Sequence, residues 1–243
     1  MKNPLVEIHQ LKKSFGDNVV LKGVDFSLWQ GESVVVFGKS GSGKSVFIKC
    51  IAGLLKPDSG TIKIFGKDIL LLNQRGLDEV REKMGFVFQS NALYDSMTVR
   101  ENLEFALRKN IDKMTRKEVD KLVEESLENV GLLDAIDLMP SELSGGMQKR
   151  IGLARSLMSR PQIMMYDEPT TGLDPITSKE IINLILEMQK KYNTSSIIIS
   201  HDIECARLTA NRMVVLIEGM FYAEGAFEEL EHSTDQKVLQ FFE

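Results

Sequence analysis

The chain has 243 residues, 43% hydrophobic and 27% charged, with a net charge of −5 at pH 7. That length suits one large α/β domain or a core with a subdomain, and an acidic balance without a basic, aromatic-rich stripe excludes nucleic acid as an expected partner. No apolar run approaches the roughly 20 residues needed to cross a bilayer, and Met1-Lys2-Asn3-Pro4 lacks the apolar stretch of a signal peptide, which points to a cytosolic chain.

Three strand-like runs come first, at residues 6–11, residues 24–28 and Ser33–Phe37. Residues 24–28 alternate apolar and polar, as an antiparallel strand with one wet face should, whereas Val34-Val35-Val36-Phe37 predicts a strand buried on both faces. The glycine-rich stretch Gly38-Lys39-Ser40-Gly41-Ser42-Gly43-Lys44-Ser45 then leads into a helical pattern over residues 46–55. Pro57-Asp58-Ser59-Gly60 reads as a turn and residues 61–65 as a further strand. Gln74, Arg75, Arg81 and Lys83 belong to a charged helical stretch expected to be a solvated face. Gln89 closes the short apolar run at residues 85–88. Residues 99–109 and 116–130 predict two amphipathic helices, with Leu122, Val123, Leu127 and Val130 on one face of the second.

Ser144 is a good N-cap for a helix over residues 147–158, where Ile151, Ala154, Leu157 and Met158 recur at helical spacing. Lys149, Arg150 and Arg155 on it are expected mostly at the surface, the first two near enough to Ser144 to contact phosphate. From Gln162 strands and helices alternate, which predicts a parallel sheet. Residues 227–243 form a short amphipathic end with Leu239, Phe241 and Phe242 available for packing. Cys50 and Cys205 fall in helical patterns among apolar neighbours and are expected as buried thiols.

The strand, the glycine loop and the helix behind it make the context of a P-loop. Its glycines let backbone N–H groups turn around a phosphate, and the helix N-terminus adds positive potential. Lys44 can then reach the β- and γ-phosphates and Ser45 can ligate Mg²⁺. Ser144-Gly145-Gly146 is a second anion-seeking helix start, although such caps are common in ordinary helices. Asp167 and Glu168 close a buried strand, where adjacent carboxylates are costly unless paired or metal-bound. Asp174 before Pro175 reads equally well as a helix cap.

In order along the chain these motifs resemble the nucleotide-binding subunit of an ABC (ATP-binding cassette) transporter, from about Val6 to Gly225. The resemblance implies a P-loop NTPase core with a parallel sheet, an N-terminal antiparallel β subdomain and an inserted helical subdomain carrying the signature. Its implied boundaries are a single ABC ATPase domain at 4–243, with the core at 4–90 and 160–243 and the helical part at about 91–159. It places Phe15 against adenine and Gly38, Ser40, Gly41, Gly43, Lys44, Ser45 and Val46 around the phosphates of ATP. Ser144, Gly145 and Gly146 of the signature and Asp174 of the D-loop join the nucleotide site across a homodimer. Ser45, Gln89 and Asp167 are the implied Mg²⁺ ligands. Glu168 would act on the attacking water, and His201, after Ser195–Ser200, on the γ-phosphate, with Gln89 assisting.

Met147 follows Ser144-Gly145-Gly146 where most cassettes of the family carry glutamine. The stretches from Gln89 to Val99 and from Met139 to Met147 resemble cassettes that work with MCE (mammalian cell entry) proteins to move phospholipids between bacterial membranes. The expected partners are therefore an integral membrane permease and an MCE-type substrate-binding protein, with the cassette on the cytoplasmic face of the inner membrane. A polar amino-acid importer and a lipoprotein-releasing system are the alternatives among transporters. A non-transport ABC ATPase would need coiled-coil insertions or a second cassette, and neither is in this sequence.

Overall fold

A computed structural model describes residues 3–89, 92–109 and 111–242, which leaves Ser90 and Asn91 of the stretch after Gln89 outside the described residues. Strands β1 (Val6–Phe15) and β2 (Asn18–Leu28) form an antiparallel hairpin, and β3 (Ser33–Phe37) leaves it for a second sheet. The first strand is longer than its apolar pattern, because Gln10 turns left-handed at φ 47° and the register shifts between Ile8 and Leu11. Beyond that bulge the polar run Lys12-Lys13-Ser14 is held by ladder pairing and by Asp58, whose carboxylate accepts from Lys13 Nζ at 2.8 Å and the Ser14 N–H at 2.6 Å.

Helix α1 (Lys44–Ile51) begins two residues before the expected start and stops four before the expected end. The carbonyls just past its end, at Ala52 and Gly53, accept from the Arg81 guanidinium at 3.1 and 2.8 Å. Arg81 is thus a cation at a helix C-terminus, not only part of a solvated face. Strands β4 (Ser59–Ile64) and β5 (Lys67–Asp68) complete a four-stranded antiparallel sheet of order β2-β1-β4-β5. The expected turn at Pro57-Asp58-Ser59-Gly60 is half absorbed into β4.

Helix α2 (Gln74–Arg81) leads to β6 (Met84–Val87), and the following helices are set by their caps. Thr98 and Glu101 form a reciprocal capping box at the start of α3 (Val99–Ala106), and Thr115 and Glu118 form another at α4 (Arg116–Asn129). Val123, Leu127 and Val130 are buried, Leu122 half-buried, against α5 (Gly145–Leu157), which matches the expected face. Strand β7 (Ile163–Asp167), α6 (Pro175–Tyr192), β8 (Ser195–Ser200), α7 (Ile203–Thr209) and β9 (Arg212–Ile217) then alternate. The last strand, β10 (Met220–Gly225), departs from the expected parallel arrangement. Glu218 and Gly219, at φ 49° and 80°, make a two-residue turn of the kind that matches strand twist, so β10 folds back antiparallel on β9.

The second sheet has the order β10-β9-β3-β8-β7-β6, with β9, β3, β8, β7 and β6 mutually parallel. Side-chain alternation divides each central strand between two cores. Val34 and Val36 pack with α1 and the antiparallel sheet, whereas Val35 and Phe37 pack with the helical layer. Short helices α8 (Phe227–Glu231) and α9 (Gln236–Leu239) bring the chain back to β3. There Phe241 meets the Phe37 ring edge-on at 5.9 Å and Phe242 stacks on it at 6.4 Å. Val238 is buried, as are Phe227 and Leu230, and Leu239 is half-buried.

Arg212 fastens the two sheets. Its guanidinium pairs with Glu32 at 2.7 Å and Glu224 at 2.7 Å, donates to the Ser27 carbonyl at 2.6 Å and lies over the Phe26 ring. Arg212→Met strands the largely buried Glu32 carboxylate, and urea unfolding is expected to show a loss of about 2 kcal/mol with an unchanged m-value.

Candidate nucleotide site

Five parallel strands deliver their carboxyl ends to one edge of the second sheet, the place where open α/β sheets bind ligands. After β3 comes the glycine loop. A Cβ on Gly38 would lie 2.6 Å from the Leu216 carbonyl oxygen, and Gly43 caps α1 at φ 108° with Val20 3.0 Å from where a Cβ would be. Any larger residue would push the loop off the neighbouring strands, so the loop is pressed flat and its N–H groups stay at the helix start.

Lys44 folds back into this loop and is only 5% exposed. Its Nζ donates to the carbonyls of Gly38 at 2.7 Å and Lys39 at 3.1 Å, and it lies 3.4 Å from Glu168 Oε1. Ser45 Oγ donates to Asp167 Oδ1 at 2.9 Å. Burial, ahead of any other cause, holds the Asp167 carboxyl above the usual carboxylate range, and the Ser45 hydrogen bond and nearby lysines only partly oppose it. A buried carboxylate beside a hydroxyl offers hard oxygen donors, and this corner fits a small divalent cation.

Glu168 does not continue the strand. Its backbone sits left-handed at φ 53°, its N–H donates to the Ile199 carbonyl at 3.0 Å, and its side chain leaves in a different direction from that of Asp167. The device that turns the two acids apart is this left-handed residue, a conformation with a cost of about 1 kcal/mol or more. Glu168 Oε2 then meets His201 Nδ1 at 2.7 Å and accepts from Thr171 Oγ1 at 3.2 Å. One carboxylate is thus held between the lysine of the loop and the histidine after β8. Gln89 follows β6 with its side chain exposed, and its carbonyl accepts from Lys149 Nζ at 2.7 Å.

A second cluster forms on another part of the surface. Ser144 caps α5, with its Oγ accepting from the Met147 N–H at 3.2 Å, as expected. Asp174 caps α6 through the N–H groups of Ile176 and Thr177, both at 3.0 Å. Ser144, Gly145, Gly146, Gly172, Asp174 and Thr177 line one shallow concavity of about 520 Å³. The structure therefore gathers Lys44, Ser45, Asp167, Glu168 and His201 in one place and the signature residues with Asp174 in another. Ser40 and Gly41 are exposed on the loop, Val46 is half-buried on α1, and Phe15 is half exposed at the end of β1, with Lys13 Nζ 5.3 Å from its ring centre.

Sequence reading missed one residue of the site. Lys149 is 5% exposed, not a surface lysine, and burial lowers its pKa ahead of the opposing charges of Asp167 and Glu168. A signal was present: four residues on, Leu153 is on the buried face of the same helix, so helical periodicity carries Lys149 inward. The thiols behave as expected: Cys50 and Cys205 are free and buried, pushed up to about 11 and about 12 by desolvation.

Loop, lysine and helix set on the end of a parallel strand define a P-loop nucleotide hydrolase. Residues 21–171 match the ABC transporter family model. The chain is 37% identical over 241 residues to the intermembrane phospholipid transport system ATP-binding protein MlaF of Haemophilus influenzae, covering 99% of this chain and 91% of that protein. It is 36% identical to the methionine import ATP-binding protein MetN of Brucella abortus, covering 98% of this chain and 65% of that protein. Among solved structures it is similar to the dimeric ATP-binding cassette MJ0796 in a post-hydrolysis state bound to ADP and Pi. That match has a TM-score of 0.83 at 31% identity, over 91% of this chain and 98% of that one. The chain belongs to the ABC transporter ATP-binding family and is an ABC-type ATPase.

Proposed function

We propose that this ATPase energises the movement of phospholipids between bacterial membranes, as a homodimer seated on an integral membrane permease that joins an MCE-type protein. The observation that carries the catalytic half is the Lys44–Glu168–His201 chain of contacts, which sets a base between the phosphate-binding lysine and a second polar group. ATP would draw Lys44 away from the Gly38 and Lys39 carbonyls onto the β- and γ-phosphate oxygens, with the glycine-loop N–H groups around them. Freed of the lysine and still held by His201 and Thr171, Glu168 would take a proton from the water whose oxygen attacks the γ-phosphorus. The bond to the β-phosphate oxygen breaks, leaving ADP and phosphate.

Ser45, Asp167 and Gln89 would hold Mg²⁺, whose chemistry there is charge neutralisation on the phosphates. His201 would donate to a γ-phosphate oxygen as charge develops, and Phe15 would stack on adenine. Ser144, Gly145 and Gly146, with Asp174 beside them, would close on the nucleotide held by a second copy. The likeness to a dimeric cassette supports that arrangement.

The phospholipid assignment is supported by the near full-length similarity to MlaF and by Met147 in the signature. No helix among the described residues is long and apolar enough to cross a membrane, so in this reading the cassette never touches lipid and works from the cytoplasmic face of the inner membrane through its permease. MetN relatives of nearly equal identity make an amino-acid importer the competing reading. Affinity purification from native membranes is expected to recover a polytopic permease, an MCE protein and copurifying phospholipid. Recovery of an amino-acid permease with a solute-binding protein would overturn the lipid assignment.

A further inference from the structure

Helix α5 does more than present its N-terminus. Six residues apart on it, two cations grip the two described sides of the segment after β6: Lys149 Nζ donates to the Gln89 carbonyl at 2.7 Å and an Arg155 N–H donates to the Ala92 carbonyl at 2.7 Å. Lys149 is the buried one, and the negative charges acting on it are those of Asp167 and Glu168. An ammonium taken out of water costs free energy unless a carbonyl or an anion compensates it, and here both are supplied from other elements. A methionine or leucine would fill the same space without that cost, so the charge itself calls for a role.

We propose that Lys149 is a positioning residue for hydrolysis: it ties the signature helix to the backbone of Gln89 and holds both beside the acid pair. On this arrangement α5 and the start of the Gln89 segment move as one piece. When Ser144–Gly146 at one end of the helix engage a nucleotide on the second copy, the same displacement sets Gln89 toward the cation held by Ser45 and Asp167. Lys149 touches no reacting atom and acts through Gln89. The proposal rests on Gln89 as a cation ligand, as in the function proposed above.

Lys149→Met and Lys149→Arg, prepared in the full chain, separate this from a packing role. The Met variant is expected to lose about tenfold or more in kcat, the range seen when a residue supporting a metal ligand is removed, while its dissociation constant for MgATP stays within about threefold. It should also need several-fold more Mg²⁺ for half-maximal hydrolysis, show faster hydrogen exchange at residues 92–97, and melt no lower than wild type. The Arg variant should recover most of the rate. Wild-type kcat and Mg²⁺ dependence in the Met variant would overturn the proposal, as would equal losses in both variants with lowered melting temperatures. Glu168→Gln run in parallel tests the catalytic reading itself: if that variant hydrolyses ATP normally, the reading beneath the proposal has failed, whatever Lys149 does.

Discussion

Glu168→Gln is expected to hold MgATP with near-native affinity while its turnover falls by about two orders of magnitude or more, the usual size of a general-base contribution. The amide keeps the shape of the side chain and its contacts with Thr171 and His201 but cannot accept a proton from water. Lys44, Ser45 and Asp167, which would hold the nucleotide, all remain; Lys44 loses only its 3.4 Å ion pair with Glu168 and keeps its bonds to the Gly38 and Lys39 carbonyls. Binding and hydrolysis should therefore separate cleanly, binding read by equilibrium titration with labelled ATP and hydrolysis by phosphate release. A variant that turned over at near wild-type rate would remove Glu168 from its assigned role.

The second large effect concerns the two clusters. Lys44→Ala should weaken productive nucleotide engagement and Ser144→Arg should block the signature surface, so each homodimer is expected to be nearly inactive. In a head-to-tail pair the heterodimer contains one ruined site and one site built from an intact loop and an intact signature. Equimolar mixing gives half the dimers this composition, so the mixture should regain at most about a quarter of wild-type phosphate release. Two sites complete within one chain would give no recovery on mixing.

Local chemistry made much of this molecule legible. The P-loop was readable because three glycines and a lysine at fixed spacing each answer a steric or electrostatic demand within eight residues. Val34 to Phe37 announced a doubly buried strand, and Asp174 before Pro175 announced its helix through the cap it forms. What stayed hidden depends on partners distant in sequence or on backbone conformation. Arg81 looked solvated because its acceptors, the carbonyls of Ala52 and Gly53, lie nearly thirty residues earlier in the chain. Helical periodicity with Leu153 carries Lys149 inward, but its partners, Gln89 after β6 and the acids at the end of β7, are distant in sequence. The left-handed turn at Glu168 has no signature in residue type, since glutamate rarely adopts it and the ends of β7 and β8 impose it here. The reversal of β10 lies in Glu218-Gly219, a two-residue turn at φ 49° and 80° that the alternation of strands and helices before it does not suggest.

That two separated clusters on one chain must meet across two copies is the claim on which the mechanism stands. Light scattering of Glu168→Gln with and without MgATP tests it most directly, because slowed hydrolysis preserves the nucleotide-bound state. A shift from the monomer mass to twice that mass on adding MgATP, reversed when the nucleotide is removed, is the predicted result. A strictly monomeric species at saturating MgATP, with the wild-type chain fully active as a monomer in the same buffer, would contradict it.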